Sequence, residues 1–395
     1  MKITRLASCA FLGLYACLFS FAQAPQRIME NGVEVVVNGP KPFALKGQPT
    51  ALSLREEFRI DLEDDKIAAL GLGDISKVDL DSKGRLYVAQ AGWPGKTVDL
   101  IYVFDAGGRF VRSFGKIGQG PGEVMNTRYL SLNDKDELPI FDSGSARITC
   151  FDTNGKMDRT IDTGIRPSLT QLGMFLLANG NCFTYSYSID SDDKLQEAFG
   201  SLFGVDHKKI CDLVRYDLWR APSEYKDIFS VKPVSTASKS SIFIAQPISG
   251  KDISVYDLDG RLIRKIRAPF PQTEMTAGDQ AEMISPFPKN YPELQGLKFP
   301  KYFPPFLALF TDDEERLYVA GFEEDAATKM TLCDVFAPDG TYILRAGIGF
   351  RDLSRYMLGV QYFDVAVKRD RLVCVRNKPS GFKEVIVYKM FWRNG

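Results

Sequence analysis

The chain holds a single histidine, His207, and that narrows its chemistry at once. Zinc-dependent hydrolysis or elimination draws on several His or Cys ligands. A Ser-His-Asp triad would have to use His207, and no Gly-x-Ser-x-Gly turn is present to carry the nucleophile. His207 lies in "VDHKK", which reads as an exposed hairpin turn. "GQGPGE", Gly118 to Glu123, is Gly-rich but lacks the Lys-Ser/Thr pair and the following helix of a phosphate loop. Carboxylates are plentiful, so oxygen ligands for a hard cation such as calcium are available. Yet Asp81, Asp105, Asp152, Asp257 and the run "TDDEER" from Thr311 all stand where hairpin turns need them. The expectation is no catalytic residue and no cofactor, with calcium as the alternative and no metal site assigned. One group remains as a candidate ligand surface: Trp93 in "AGWPGK", Glu123, Arg128, Asp142 and Arg147.

What positions these residues is a repeat. Arg-Leu-Tyr-Val-Ala occurs at Arg85 to Ala89 and again at Arg316 to Ala320, each time after an acidic turn. A second motif is an apolar run, then Asp, two residues and Gly. It appears as "YVFDAGGRF" from Tyr102, "TCFDTNGKM" from Thr149 and "SVYDLDGRL" from Ser254. "DVFAPDGTY" from Asp334 has Ala337 in place of the Asp, and weaker copies end at Asp206 and Lys389. The Asp accepts a backbone hydrogen bond within the turn, and the Gly supplies a positive φ before the next strand. From Asp105 the marks are spaced by 47, 54, 51, 80 and 52 residues. Several short strands per period of this size predict an all-β fold, a β-propeller with one four-stranded blade per mark and six blades in all.

Blade one reads as strands near Ile75 to Leu80, "RLYVAQ", "LIYVFD" and "RFVRSFG"; blade two as "YLSLN", "LPIFD", "RITCFD" and "KMDRTID". The third-strand run of blade six, "EVIVYK" from Glu384, lies near the end of the chain, so that blade lacks its own outer strand. "LREEFRIDL", Leu54 to Leu62, precedes blade one without a partner. The reading is that this N-terminal strand closes the ring and covers both open edges. The long spacing reflects a Pro-rich insertion before blade five, about residues 267–306, which holds 8 of the 21 prolines and cannot be ordinary sheet. Within it "TAGDQAEMI" predicts a short helix capped by Thr276. Its aromatics Phe287, Tyr291, Phe299, Tyr302 and Phe303 suit either packing on the ring, the favoured reading, or display on a lid or partner-binding arm.

"SFGKIGQGPGEV" from Ser113, followed by "LNDKDELPIFDSGSARITCFDTNGKM" from Leu132, resembles the NHL repeat: a Gly-rich link, a strand ending in Asp, a loop with Arg, and a strand ending in Phe-Asp and a Gly turn. The chain from about 30 to 392 is similar to bacterial exported six-bladed β-propellers related to that repeat. "ENGVEVVVNGPKP" from Glu30 and "KFPKYFPPF" from Lys298 share the likeness. The resemblance implies a fold and transfers no activity. Arg147 matches the Arg of the pattern, where it either faces a ligand or braces neighbouring blades. Lactonase-like six-bladed enzymes hold an axial calcium, which is the source of the calcium alternative.

Lys plus Arg and Asp plus Glu are 50 each, so the net charge is zero. This excludes a general nucleic-acid surface. Residues 1–22 read as a signal peptide, with Lys2 and Arg5 before an apolar stretch and a cleavage site ahead of Gln23. Residues 23–50 read as an N-terminal extension and 51–395 as the propeller. A lipid anchor at Cys17 is the less favoured variant, and Cys9 has almost no apolar segment before it. The expected location is outside the cytoplasm, periplasmic or extracellular, with no transmembrane span in the mature chain. Five cysteines follow the leader, an odd number with no CxxC pair, so buried free thiols are expected, with a Cys150–Cys182 bridge as the alternative. The functional expectation is a monomeric, non-catalytic scaffold that binds a protein, peptide or glycan through one face of the ring. Its alternative is a calcium-dependent hydrolase or lyase of the lactonase-like type.

Overall fold

The structure, a computed structural model, describes residues 23–394 except 91–98, 121, 126, 134, 143–146, 163–170, 190–194, 218–233, 247–250, 289–290, 292–293, 295–296 and 355–362. The expected signal peptide, with Cys9 and Cys17, lies outside the described residues. Three strands precede the blades: β1 (Gln26–Glu30), β2 (Val33–Val37) and β3 (Pro49–Asp61), and a single helical turn, α1 (Asp65–Ala68), follows them. Blade one is β4 (Lys77–Leu80), β5 (Leu86–Ala89), β6 (Asp99–Phe104) and β7 (Phe110–Lys116). Blade two is β8 (Thr127–Leu130), β9 (Leu138–Asp142), β10 (Arg147–Phe151) and β11 (Met157–Asp162). Blade three is β12 (Gln171–Leu176), β13 (Cys182–Ile189), β14 (Leu195–Phe203) and β15 (Lys209–Asp217). Blade four is β16 (Val234–Ala237), β17 (Ser241–Ala245), β18 (Asp252–Asp257) and β19 (Leu262–Arg267). The helix α2 (Ala277–Ile284) lies in the insertion, ahead of blade five: β20 (Ala308–Thr311), β21 (Leu317–Glu324), β22 (Thr331–Phe336) and β23 (Tyr342–Gly347). Blade six holds β24 (Val365–Lys368), β25 (Arg371–Asn377) and β26 (Lys383–Asn394).

The fourth strand of blade six is β3, antiparallel to β26 from Glu384↔Asp61 to Asn394↔Pro49. The ring therefore closes with an N-terminal strand, as expected, and the strand is longer than Leu54 to Leu62. Packing shows that β3 is a true outer strand. In blade two the turn Gly155 has φ +82°, and a Cβ there would lie 2.5 Å from the Phe114 ring of the preceding outer strand. Gly108 in blade one has the same φ, and its Cβ would lie 2.6 Å from Phe58 of β3. These turns need glycine twice, for the left-handed backbone and for the aromatic seated against it. The second strands are buried on both faces: every residue of β5 and β9 is buried, because each blade is covered by two others.

Blade three corrects the repeat register. Its third strand ends at Phe203, and Gly204 occupies the Asp position, its N–H bonded to Lys208 O. His207 takes the turn-glycine position at φ 62°, so the mark lies two residues before Asp206. In blade two the inner strand ends at Leu130, earlier than "YLSLN" implied, because Asn133 caps the next turn by accepting from Lys135 N and Glu137 N.

The N-terminal extension is more than a lead-in. β1 and β2 form a hairpin through Asn31-Gly32, both at positive φ, and β2 adds in parallel to β19, making blade four six-stranded. Arg267 holds Glu30 through two bonds of 2.8 and 3.0 Å, and Arg264 holds Glu34 at 2.7 Å. Asn38 then donates to Gly340 O and accepts from Tyr342 N. Residues 26–61 thus belt blades four, five and six along the outer rim.

Candidate functional site

Antiparallel blades give a propeller two unlike faces. Hairpins joining first to second and third to fourth strands lie on one, the turn face. Links between blades and hairpins joining second to third strands lie on the other, the link face.

On the turn face side chains stitch one blade to the next. Asp136 accepts from Ser82 N and Oγ at 2.7 and 2.6 Å, joining blades one and two. Asn181 donates to Leu258 O, joining three and four. Ser238 and Ser240 donate to Glu315, joining four and five. Asp313 accepts from Arg369 N, joining five and six. Lys368, at the end of the inner strand β24, reaches furthest. Its ammonium donates to Leu80 O at 2.9 Å in blade one and to Leu132 O at 2.7 Å in blade two, with Asp79 Oδ2 at 3.5 Å. A side chain of blade six that bonds blade two must pass in front of the inner edge of blade one, so this ammonium lies toward the propeller axis.

The link face carries the expected candidates. Asp142, fully buried at the end of β9, accepts from Met125 N at 3.1 Å. Arg147 stands opposite Asp142 in the ladder and donates to Gln119 O and Glu123 O at 3.3 and 3.5 Å. The Glu123 carboxylate turns back to accept from Gly120 N at 2.9 Å. Glu123, Asp142 and Arg147 therefore meet at the entry to blade two, where they hold the Gly-rich link. Arg128 lies on β8, and its side chain, like Trp93, is outside the described residues. Nearby, Lys77 pairs with the buried Asp364 at 2.7 Å across blades one and six. Sequence reasoning missed Lys77, Asp364, Asp79 and Lys368, whose pairings span more than two hundred residues or adjoin those that do.

The insertion leaves and rejoins the ring through a short neck, with Phe303 N bonded to Thr273 O and Met275 N to Lys301 O. Helix α2 is capped by Thr276 with a reciprocal bond to Asp279, as its sequence predicts. Arg351, from the link after blade five, clasps it: Nη2 to Asp279 at 2.7 Å, Nε to Glu324 at 2.9 Å and Nη1 to Phe322 O at 2.9 Å. Glu282 accepts from Leu353 N, and burial pushes its carboxyl up. Phe303 stacks on Phe322 at 4.2 Å. Phe299 packs on the same core, while Tyr291 is exposed beside Phe287. Phe299 and Phe303 thus pack on the ring, whereas Phe287 and Tyr291 pack on each other. Beneath the neck, Phe270, Pro305, Glu323, Asp334 and Arg345 line a cavity of about 10 Å³, room for about one water.

Among the described residues no three His, Cys, Asp or Glu side chains converge in metal-ligating geometry. The suspected turn carboxylates Asp81, Asp105, Asp152 and Asp257 each accept backbone N–H groups two and four residues on. The five described cysteines are free; Cys150 and Cys182 share one core cluster, and burial pushes the Cys182 thiol up to about 11. No described helix is long and apolar enough to cross a membrane.

This geometry defines the class: a six-bladed β-propeller. Residues 62–208 match the family model DUF5128, described as a 6-bladed beta-propeller. A member of the DUF4221 family from Bacteroides vulgatus aligns at 11% identity and TM-score 0.51, over 88% of this chain and 100% of that one. A Bacteroides fragilis protein described as exported aligns at 12% identity and TM-score 0.49, over 91% and 99%. Virginiamycin B lyase from Staphylococcus aureus aligns at 9% identity and TM-score 0.42, over 86% and 99%. No curated protein matches the sequence. What these likenesses share with the chain is the fold, a six-bladed β-propeller.

Proposed function

We propose that the protein is an exported, non-catalytic scaffold that binds a protein, peptide or glycan partner through the link face. The observation that carries this reading is the contrast between faces. Turn-face side chains tie neighbouring blades together, so that surface has little freedom to vary with a ligand. The link face bears the insertion and the longest connections, the positions at which a rigid scaffold displays recognition surface. Its candidate residues Glu123, Asp142 and Arg147 hold the link backbone in place, a supporting role rather than that of a poised acid, base or nucleophile. No cofactor enters the reading, and export rests on residues 1–22 acting as the signal peptide that their sequence predicts.

A photo-crosslinking residue placed singly at Tyr291 or Lys329 on the link face, and at Lys156 or Lys208 on the turn face, tests this. All four positions are exposed. In the native envelope the link-face positions should give discrete adducts and the turn-face positions none. Adducts from the turn face alone would refute the assignment.

A further inference from the structure

We propose that the turn-face end of the propeller axis is a built cation site whose resident is the chain's own Lys368 ammonium. Two main-chain carbonyls and a carboxylate converge on the Nζ from two other blades: Leu80 O at 2.9 Å, Leu132 O at 2.7 Å and Asp79 Oδ2 at 3.5 Å. An ammonium has three donors and no acceptor, and this arrangement offers three oxygens. Carbonyl and carboxylate oxygens are the ligand type that hard cations take, and here they meet a Lys368 side chain that is 23% exposed. Here the cation arrives covalently attached.

The cage is organised around its charge. Asp79 is buried, and its Oδ2 also accepts from Leu132 N at 2.6 Å, so the oxygen facing Lys368 is fixed by the same residue, just past β8, that supplies one of the carbonyls. One ammonium balances one carboxylate, which is how a buried charge is tolerated. The position is also telling. Blade six is the one closed by β3, and Lys368 fastens it to blades one and two across that seam. The neighbouring Arg371 adds bonds to Gly84 O and Ala106 O of blade one. The closure of the ring at the axis therefore needs no divalent ion.

Chemical rescue tests the assignment in the full mature chain. Lys368→Ala should lower the melting temperature by about 5 °C or more. Methylammonium, small enough for the vacated cage, should restore part of the loss with saturable dependence and leave the parent chain unaffected. Tetramethylammonium at the same ionic strength has no N–H donor and should restore nothing. If Lys368→Ala does not fold in plain buffer, the same comparison is read as soluble yield on refolding. Lys368→Met, which keeps the bulk and removes the charge, should be destabilised as well. A parent-like melt for Lys368→Met, or equal action of the two ammonium ions on Lys368→Ala, would overturn the proposal.

Discussion

The two copies of Arg-Leu-Tyr-Val-Ala follow the same turn but solve its strain in opposite ways. In blade one Asp81 Oδ1 accepts from Lys83 N and Arg85 N, and Oδ2 takes Arg85 Nε at 2.5 Å. In blade five Asp312 does the same with Glu314 N, Arg316 N and Arg316 Nε at 2.6 Å. The left-handed position of the first turn is Gly84 at φ 75°, and that of the second is Glu315 at φ 59°. Gly84 leaves room for a neighbour: a Cβ there would lie 2.6 Å from Arg371 Nη1, which comes from blade six. Glu315 accepts a strained backbone, and its carboxylate receives Ser238 and Ser240 of blade four. One turn therefore receives a brace and the other provides one. Their burial differs too. The Arg85 side chain is 17% exposed and Arg316 only 3%, with Arg316 stacked on Trp392 at 4.4 Å.

That difference in burial ranks the expected losses. Asp312→Ala should be the most damaging change, about 3–5 kcal/mol by denaturant melts, because it leaves a buried guanidinium with only the exposed Glu314 at 3.5 Å as a carboxylate partner. Asp81→Ala, whose arginine reaches solvent, should cost about 1–3 kcal/mol; equal losses would break the comparison. Gly84→Ala should cost about 1–2 kcal/mol, from the left-handed backbone and from displacing Arg371. Glu315→Gly relieves strain and removes the brace, so its net effect should stay within about 1 kcal/mol.

Alkaline pH sharpens the same contrast. Burial, followed by the facing Asp312, raises the Tyr318 phenol well above its usual value, and burial also raises Tyr87. A folded-state pKa above the unfolded value of about 10 means stability is intact below about pH 10 and is lost as pH rises beyond it. Tyr318 Oη lies 2.8 Å from Asp312, whereas Tyr87 Oη is 3.4 Å from Asp81. Tyr318→Phe should therefore cost about 1 kcal/mol at neutral pH and flatten the alkaline slope. Tyr87→Phe should cost less at neutral pH. Melts between pH 8 and 11 would read both.

Much of the architecture was legible because its marks are local. Asp105, Asp152 and Asp257 with their glycines set the period, and the unpartnered apolar run before Asp64 announced the closing strand. Blade three misled because His207 fills the glycine position and Gly204 the aspartate position, so the chemical mark and the geometric one separate. The hairpin on blade four had a signal in Asn31-Gly32, but nothing local says that β2 will lie parallel to β19. The candidate site was legible only where short spacings built it. Glu123 and Arg147 meet across one link, and the Arg of the repeat pattern could already be read as a brace. Lys368, Asp79 and Leu132 could not be read together, because their meeting depends on ring closure.

Elemental analysis of the purified mature protein, with thermal melts with and without EDTA, tests the central claim most directly. An axis fastened by Lys368 and a ring that acts as a binding scaffold predict less than stoichiometric calcium and an unchanged melting temperature. One calcium per chain with a large downward shift in EDTA would contradict both, and would make a calcium-dependent hydrolase or lyase the reading to pursue.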